Sequence, residues 1–302
     1  MKIIKRIVFL FFIITLINCS NKNSQPKDHF KKAIVNEIEK INGHVAIAFI
    51  NLNKQSDTLF INADDNFHAA STMKVPVMIE LFKQQYANKF SLKDSILLHN
   101  QFKSIVDGSI YNMSLQDDSD DILYSKIGKK ITLYDLTYEM ITKSSNLATN
   151  VLIDMVDAKN VTKSMENLGA KNMNVLRGVE DQKAYDEGLN NTTTARDFGI
   201  IMKALANHQI IDSKNSEEMI SILKDQYFND LIPLYLPKNV VIAHKTGSIT
   251  GVHHDAAILY GPNNVKYVLI ILSKNLTSFE EETKKLAELS KITYNYVISN
   301  SK

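Results

Sequence analysis

The sequence predicts an α/β chain of the α+β type: a five-stranded antiparallel sheet flanked by terminal helices, with an all-helical segment inserted between the second and third strands. Three observations lead there. Short β-rich runs gather at the two ends of the 302-residue chain, helical periodicity fills the middle, and an amphipathic helical pattern sits at each end of the folded part.

The elements follow in order. From Asp28 to Ile41, Phe30, Ala33, Ile34, Ile38 and Ile41 recur at helical spacing, and Asn42-Gly43 closes the pattern. Gly43 to Asn51 and Thr58 to Asn62 are short β-rich runs, and the polar stretch Asn53 to Asp57 between them predicts a hairpin. Val240 to Lys245, Asp255 to Tyr260 and Val265 to Ser273 supply three more strands, the last two joined by Gly261-Pro262-Asn263-Asn264. Thr132-x-x-Asp135 and Thr194-x-x-Asp197 resemble capping boxes within the helical middle, and Ser278-x-x-Glu281 opens a final helix. Residues 28–70 and 231–302 therefore form the α/β part, and residues 71–230 the helical insertion.

Composition narrows the function. The formal charge is +2, from 35 basic against 33 acidic side chains, which argues against a nucleic-acid binder. Hydrophobic residues make up 44% and charged residues 23%, so the chain can bury a core and is not intrinsically disordered. Cys19 is the one cysteine, which rules out an intramolecular disulfide and a cysteine-based metal centre.

The first residues read as an export signal. Lys2, Lys5 and Arg6 precede an apolar run from Ile7 to Ile17, too short to cross a bilayer core of ~30 Å. The run ends in Leu16-Ile17-Asn18-Cys19, which resembles a bacterial lipobox, with Asn18 larger than the small residue usual before the lipidated Cys. We expect a signal peptide over residues 1–18, lipidation at Cys19, a polar tether over 19–27, and an envelope protein held at the periplasmic side. Ordinary cleavage that leaves a free thiol is the alternative.

Three short segments carry the chemistry. Ser71-Thr72-Met73-Lys74 begins an apolar helix, and a spacing of three puts the Lys74 amine over the same face as the Ser71 hydroxyl. A serine hydroxyl is a weak nucleophile until a base takes its proton, so Lys74 must be neutral at that moment and its ordinary pKa of about 10.4 must be lowered. The bland alternative is a helix N-cap. Ser144-Ser145-Asn146 joins two helices. His244-Lys245-Thr246-Gly247-Ser248 ends a strand, where lysine and hydroxyls suit a carboxylate and Gly247 lets a ligand approach the backbone.

Taken together and in this order, the segments resemble the class A β-lactamases among the penicillin-recognising serine hydrolases, whose known motifs are S-x-x-K, S-D-N and K-T-G. Met140-Ile141-Thr142, Thr192 to Asp197 and Ala243 to Gly251 with His254-Asp255-Ala256-Ala257 extend the likeness over nearly all of the mature chain. The resemblance implies the β-lactamase / D,D-peptidase fold, with residues 28–302 as one catalytic domain. It makes Ser71 the acylated nucleophile, Lys74 a base or proton relay, and Ser144 a proton shuttle to the departing amine. Asn146 would hold the substrate amide, Lys245, Thr246 and Ser248 its carboxylate, and the N–H groups of Ser71 and Ser248 the oxyanion. Gly247 belongs to the same binding strand. It implies no metal or organic cofactor; His253, His254 and Asp255 alternate along a strand, which turns His254 away from its neighbours. The expected partners are a small β-lactam or a peptidoglycan-derived substrate and the membrane through its lipid anchor; a monomer is expected.

Deacylation separates a lactamase from a cell-wall peptidase on this fold, because a carboxylate must activate water beside the acyl-serine, a step worth roughly 10² to 10⁴ in rate. Glu180, in Arg177-Gly178-Val179-Glu180-Asp181, matches the family's loop glutamate, with Asp181 as a competitor. Two departures stand out. Ala184 occupies the place of the Asn in the family's E-x-x-L-N, and Ser145 replaces the central Asp of S-D-N. The acidic run Asp117-Asp118-Ser119-Asp120-Asp121 lies in a longer connection than the family usually has, and reads as a solvated flap in preference to part of the cleft. A class A-type serine β-lactamase leads; a D,D-peptidase is the alternative, and a non-catalytic binding protein the third possibility.

Overall fold

Strand β1 (His44–Asn51) is buried on both faces, and its alternation divides the molecule into two cores. Val45, Ile47 and Phe49 enter one apolar cluster, while Ala46, Ala48 and Ile50 enter the other. The computed structural model describes residues 26–301. Cys19, the signal segment 1–18 and most of the tether lie outside the described residues, whereas Pro26 and Lys27 open helix α1 (Pro26–Ile38).

The sheet is five-stranded and antiparallel. With β2 (Thr58–Ile61), β3 (Val241–Ile249), β4 (Val252–Tyr260) and β5 (Lys266–Lys274), its order is β2-β1-β5-β4-β3. The pairing of β1 with β5, from His44 opposite Lys274 to Asn51 opposite Tyr267, closes the two ends of the chain on each other. One sheet face is covered by α1 and the C-terminal α8 (Phe279–Ser299), where Phe30 stacks on Tyr296 at 4.1 Å and meets Phe49 edge-on at 5.4 Å.

The other face receives the inserted helices: α2 (Lys74–Tyr86), α3 (Leu133–Thr142), α4 (Asn146–Val156), α5 (Ala158–Asn167), α6 (Ala195–Ala206) and α7 (Ser213–Lys224). Helix α2 runs through their centre, with Val75, Val77, Met78, Ile79, Leu81 and Phe82 all buried. Gly199 of α6 faces Ile50 and Ala48 so closely that a Cβ there would stand 3.2 Å from Ile50. The predicted caps form: Thr132, Thr194 and Ser278 accept from the N–H groups of Asp135, Asp197 and Glu281.

Three small ribbons that periodicity does not reveal are also present, one joining 67–68 to 192–193 of the insertion and two within it, pairing 95–97 with 130–132 and 102–103 with 110–111. They are too short to show alternation. A second difference matters more for the site: the Lys245-Thr246-Gly247-Ser248 segment lies inside β3 and does not end it. The strand runs on to Ile249 because a two-residue turn, Thr250-Gly251 with Gly251 at φ +72°, returns the chain into β4 from Val252.

Asp255 on β4 is fully buried, accepting from the Ile232 N–H at 3.1 Å and pairing with His244 Nδ1 at 2.9 Å. Asp255→Ala strands both donors, so chemical denaturation should show a loss of about 2 to 4 kcal/mol; an unchanged midpoint would refute that accounting.

Candidate active site

Four elements meet where β3 passes the start of α2. Ser71 lies in a 3-10 turn, Ala70–Met73, that leads into α2, and Ala70 takes a left-handed φ of +44°. Gly247 of β3 is pressed against that turn. A Cβ on it would lie 2.9 Å from the Thr72 nitrogen and 3.0 Å from the Ser71 nitrogen, closer than real side-chain carbons come. Glycine is therefore required here by the close approach of the Ser71-Thr72 backbone, a reason different from the ligand approach that the sequence suggests. Ser71 and Ser248 line two cavities on either side of this contact, about 280 Å³ on the Glu180 side and about 510 Å³ on the Ser144 and Thr246 side.

Lys74 and Lys245 are fully buried, and their amines converge on Ser144. Lys74 Nζ donates to the Ser144 carbonyl at 2.7 Å, to Ser144 Oγ at 3.2 Å and to Asn146 Oδ1 at 2.8 Å. Lys245 Nζ donates to Ser144 Oγ at 3.0 Å and to the Thr246 carbonyl at 2.9 Å. The spacing argument aims the Lys74 amine at the Ser71 hydroxyl, yet its three donors are spent on Ser144 and Asn146. A buried ammonium cannot leave donors idle, and these acceptors surround it.

Burial lowers the Lys74 pKa to about 7, with Asp118 and Glu180 pulling the other way. Lys245 is held well below the usual lysine range by burial first and by the Lys74 charge second, while Asp255 opposes. Ser144 receives both amines through its two lone pairs, so its hydroxyl is left only a proton to give. Ser144 itself sits at φ +59°, and Glu180 at the same φ. Three non-glycine residues in the left-handed region at one site, each costing of order 1 to 3 kcal/mol, mark it as a place where geometry is imposed by the surroundings.

Glu180 opens onto the first cavity, and Asn146 Nδ2 approaches its Oε1 at 3.4 Å. Partial desolvation, then the neighbouring Asp117, push its carboxyl above the ordinary range, against the pull of Lys74 and Arg177. Its loop is anchored by residues that motif reading passed over. Asn150, four residues after Asn146 on α4, accepts from the Val179 N–H at 2.6 Å and donates back to the Val179 carbonyl at 3.0 Å. Arg177 donates to the carbonyls of Leu189 and Gly178 and to Asn190 Oδ1. The i, i+4 spacing of Asn146 and Asn150 was the available signal.

Asp181, the competing candidate, borders the same cavity as Glu180, but its carboxylate is taken up by structural hydrogen bonds. It is buried, caps the one-turn helix 182–186 through the Ala184 N–H, and accepts from Ser104 Oγ and the Ile105 N–H, both at 2.9 Å. Ala184 is itself buried and, as alanine, brings no polar group to the cavity. The acidic run is no solvated flap either: Asp117, Asp118 and Ser119 line the second cavity, because the segment is hydrogen-bonded onto the 143–147 loop. His253 and His254 diverge as alternation requires; His253 Nδ1 lies 2.8 Å from Thr283 Oγ1 and His254 Nε2 2.8 Å from the His68 carbonyl.

The sequence model of the beta-lactamase enzyme family matches residues 29–297. The chain is 22% identical to beta-lactamase VEB-1 of Pseudomonas aeruginosa over 99% of this chain and 100% of that protein. Among solved structures, the beta-lactamase from Sphaerobacter thermophilus superposes with a TM-score of 0.76 at 24% identity, covering 90% of this chain and 97% of that one. PBP-A superposes with a TM-score of 0.77 at 23% identity, covering 90% and 96%. At these identities the superpositions speak for the fold.

Gly247→Ala should push β3 from the helix start. A displacement of 1 Å can cost about 10²-fold in rate, so labelling of Ser71 by a fluorescent penicillin should fall by about that much, and the backbone clash should lower stability by about 1 to 3 kcal/mol; unaltered labelling would contradict the close-approach argument.

Proposed function

Because the chain belongs to the beta-lactamase enzyme family, we propose that it is a class A-type serine β-lactamase, opening the β-lactam amide through an acyl-serine at Ser71. The observation that carries this reading is Glu180, a carboxylate at the cavity that Ser71 lines, within reach of Asn146. Export through the 1–18 signal and tethering at Cys19 on the periplasmic side belong to the same proposal, supported by the apolar run and its terminal cysteine.

The chemistry follows from proton inventory. As an ammonium, Lys74 uses three N–H donors; as an amine it keeps two and gains a lone pair. Deprotonation therefore releases one contact and frees a base one helical turn from the Ser71 hydroxyl. Ser71 Oγ then attacks the lactam carbonyl as its proton passes to Lys74. The oxyanion is held by the N–H groups of Ser71 and Ser248, a contribution of ~2.7 to 4 kcal/mol per donor. Lys74 returns the proton through Ser144 to the departing nitrogen, which matches a hydroxyl whose lone pairs are already occupied. The substrate carboxylate fits beside Lys245, Thr246 and Ser248, and its negative charge favours the charged form of Lys245, whose charge in turn disfavours a second ammonium at Lys74. Glu180 takes a proton from the water that attacks the ester, the ester C–O bond breaks, and Ser71 regains its hydroxyl proton.

One observation favours a second reading, a D,D-peptidase on cell-wall peptides: Ala184 offers no second group to hold the deacylating water. Mass spectrometry of the protein mixed with penicillin separates the two. Transient acylation with product release supports the lactamase, and an adduct that persists without turnover supports the peptidase.

Two expectations follow. Ser71→Ala should abolish acylation, whereas Glu180→Ala should spare it and slow deacylation by about 10² to 10⁴; equal loss of both steps in Glu180→Ala would refute the assignment. The acylation rate should climb as pH rises through about 7, since below that value Lys74 is an ammonium that cannot accept a proton; stopped-flow rates flat from pH 5 to 9 would exclude Lys74 as the base.

A further inference from the structure

The loop between α3 and α4 and the first residue of α4 carry two groups the reaction uses, Ser144 and Asn146, and the residue between them is Ser145, fully buried and uncharged. Its Oγ caps the Ala148 N–H at 3.2 Å, which leaves the first two N–H groups of α4 to be satisfied from elsewhere. They are satisfied from a segment 27 to 29 residues upstream. Asp118 Oδ1 accepts from the Asn146 N–H at 2.9 Å, and Oδ2 from the Leu147 N–H at 2.8 Å. Oδ2 also receives Ser145 Oγ at 3.4 Å and the Tyr124 hydroxyl at 3.1 Å.

The neighbours of Asp118 grip the same loop. The Asp117 carbonyl accepts from Asn146 Nδ2 at 2.8 Å. Ser119 Oγ donates to the Lys143 carbonyl at 2.6 Å and reaches the Ser144 carbonyl at 3.3 Å. Asn146 is thereby held at three points: its N–H by Asp118, its amide nitrogen by Asp117, and its amide oxygen by Lys74. A carboxylate in the first turn of a helix is stabilised by the helix dipole as well as by the hydrogen bonds.

We propose that Asp118 is a positioning residue for the reaction: its carboxylate, delivered by the 117–119 strap, caps α4 and holds Ser144 and Asn146 against Lys74 in place of the carboxylate absent at Ser145. The inference rests on the reading of Ser144 and Asn146 as reaction groups. The charged groups that act on Lys74 are Asp118 from the strap and Glu180 from the loop after α5, which favour its cationic form, and the adjoining Lys245 from β3, which the Lys74 charge disfavours in turn.

The test moves the carboxylate. Wild type, Asp118→Ser, Ser145→Asp and the double swap are compared for penicillin acylation by stopped flow and for melting temperature. Asp118→Ser should lower acylation by about 10²-fold and the melting temperature by about 3 °C. Ser145→Asp should also be impaired, since two carboxylates would then crowd one helix start, and the swap should recover most of both losses. An Asp118→Ser protein that behaves as wild type, or a swap as poor as the two single losses combined, would overturn the proposal. If wild type takes no acyl group from penicillin, the reading of the site fails, and the melting temperatures alone judge the carboxylate: recovery in the swap upholds it and additive loss overturns it. The isosteric Asp118→Asn adds a readout that a passive cap would not move. Without the charge, Lys74 loses its proton more readily, so the acidic limb of the acylation profile should shift to lower pH; a limb that stays in place would overturn the role of a positioning charge.

Discussion

Two lysine amines buried side by side against one serine hydroxyl set the terms for the rest of this structure. Two full ammonium charges cannot sit in so dry a place without compensation, so both pKa values fall and every nearby acceptor is recruited. The same condition that makes the arrangement costly makes it reactive, because an amine near pKa 7 is poised between proton donor and acceptor at neutral pH. Ser144 is the hinge of the arrangement. Its carbonyl and hydroxyl both face Lys74, which demands the left-handed backbone it adopts.

Such a site needs a rigid frame, and the frame is the junction of the two cores. Strand β3 is fixed by nine pairs with β4, the turn before α2 is fixed by burial, and Gly247 lets them touch. The three strained residues, Ala70, Ser144 and Glu180, come from three separate segments of chain. None could hold its conformation alone; each is pinned by tertiary contacts, which is the condition under which strain persists in a native state.

Much of this was legible in the sequence. The five strands, the terminal helices and the caps at Thr132, Thr194 and Ser278 depend on local pattern, and local pattern survives folding. Ser71, Lys74, Ser144, Asn146 and Lys245 were found through short motifs and do gather in one place. What stayed hidden was long-range. The extension of β3 to Ile249 follows from a partner strand, and the ribbons are too short to carry a period. Ser145 and the acidic run read as two unrelated oddities, one a missing carboxylate and the other a surplus of them. Only the fold brings Asp118 to the start of α4, where its carboxylate receives the first two N–H groups of the helix. Asp181 competes with Glu180 in sequence for the opposite reason: its carboxylate, beside the same cavity, is engaged in capping a helix and holding Ser104 and Ile105.

The division of the cleft into two cavities would separate the two halves of the proposed chemistry. Thr246, Ser144 and the Asp118 strap border one cavity, and Glu180 with its Arg177 and Asn191 supports borders the other; Ser71, Asn146 and Ser248 border both. In the proposed reaction, acyl transfer draws on the shared residues and on the lysines behind them, whereas water activation draws on the Glu180 side. The Glu180 loop is secured mainly by its own contacts with α4, through Asn150, and by Arg177, and hardly at all by the lysine cluster. Changes in that loop can therefore alter the lifetime of an acyl-serine while leaving its formation intact. A fold arranged in this way reaches either a hydrolase that turns over β-lactams or one that is trapped by them through differences confined to one wall of the cleft.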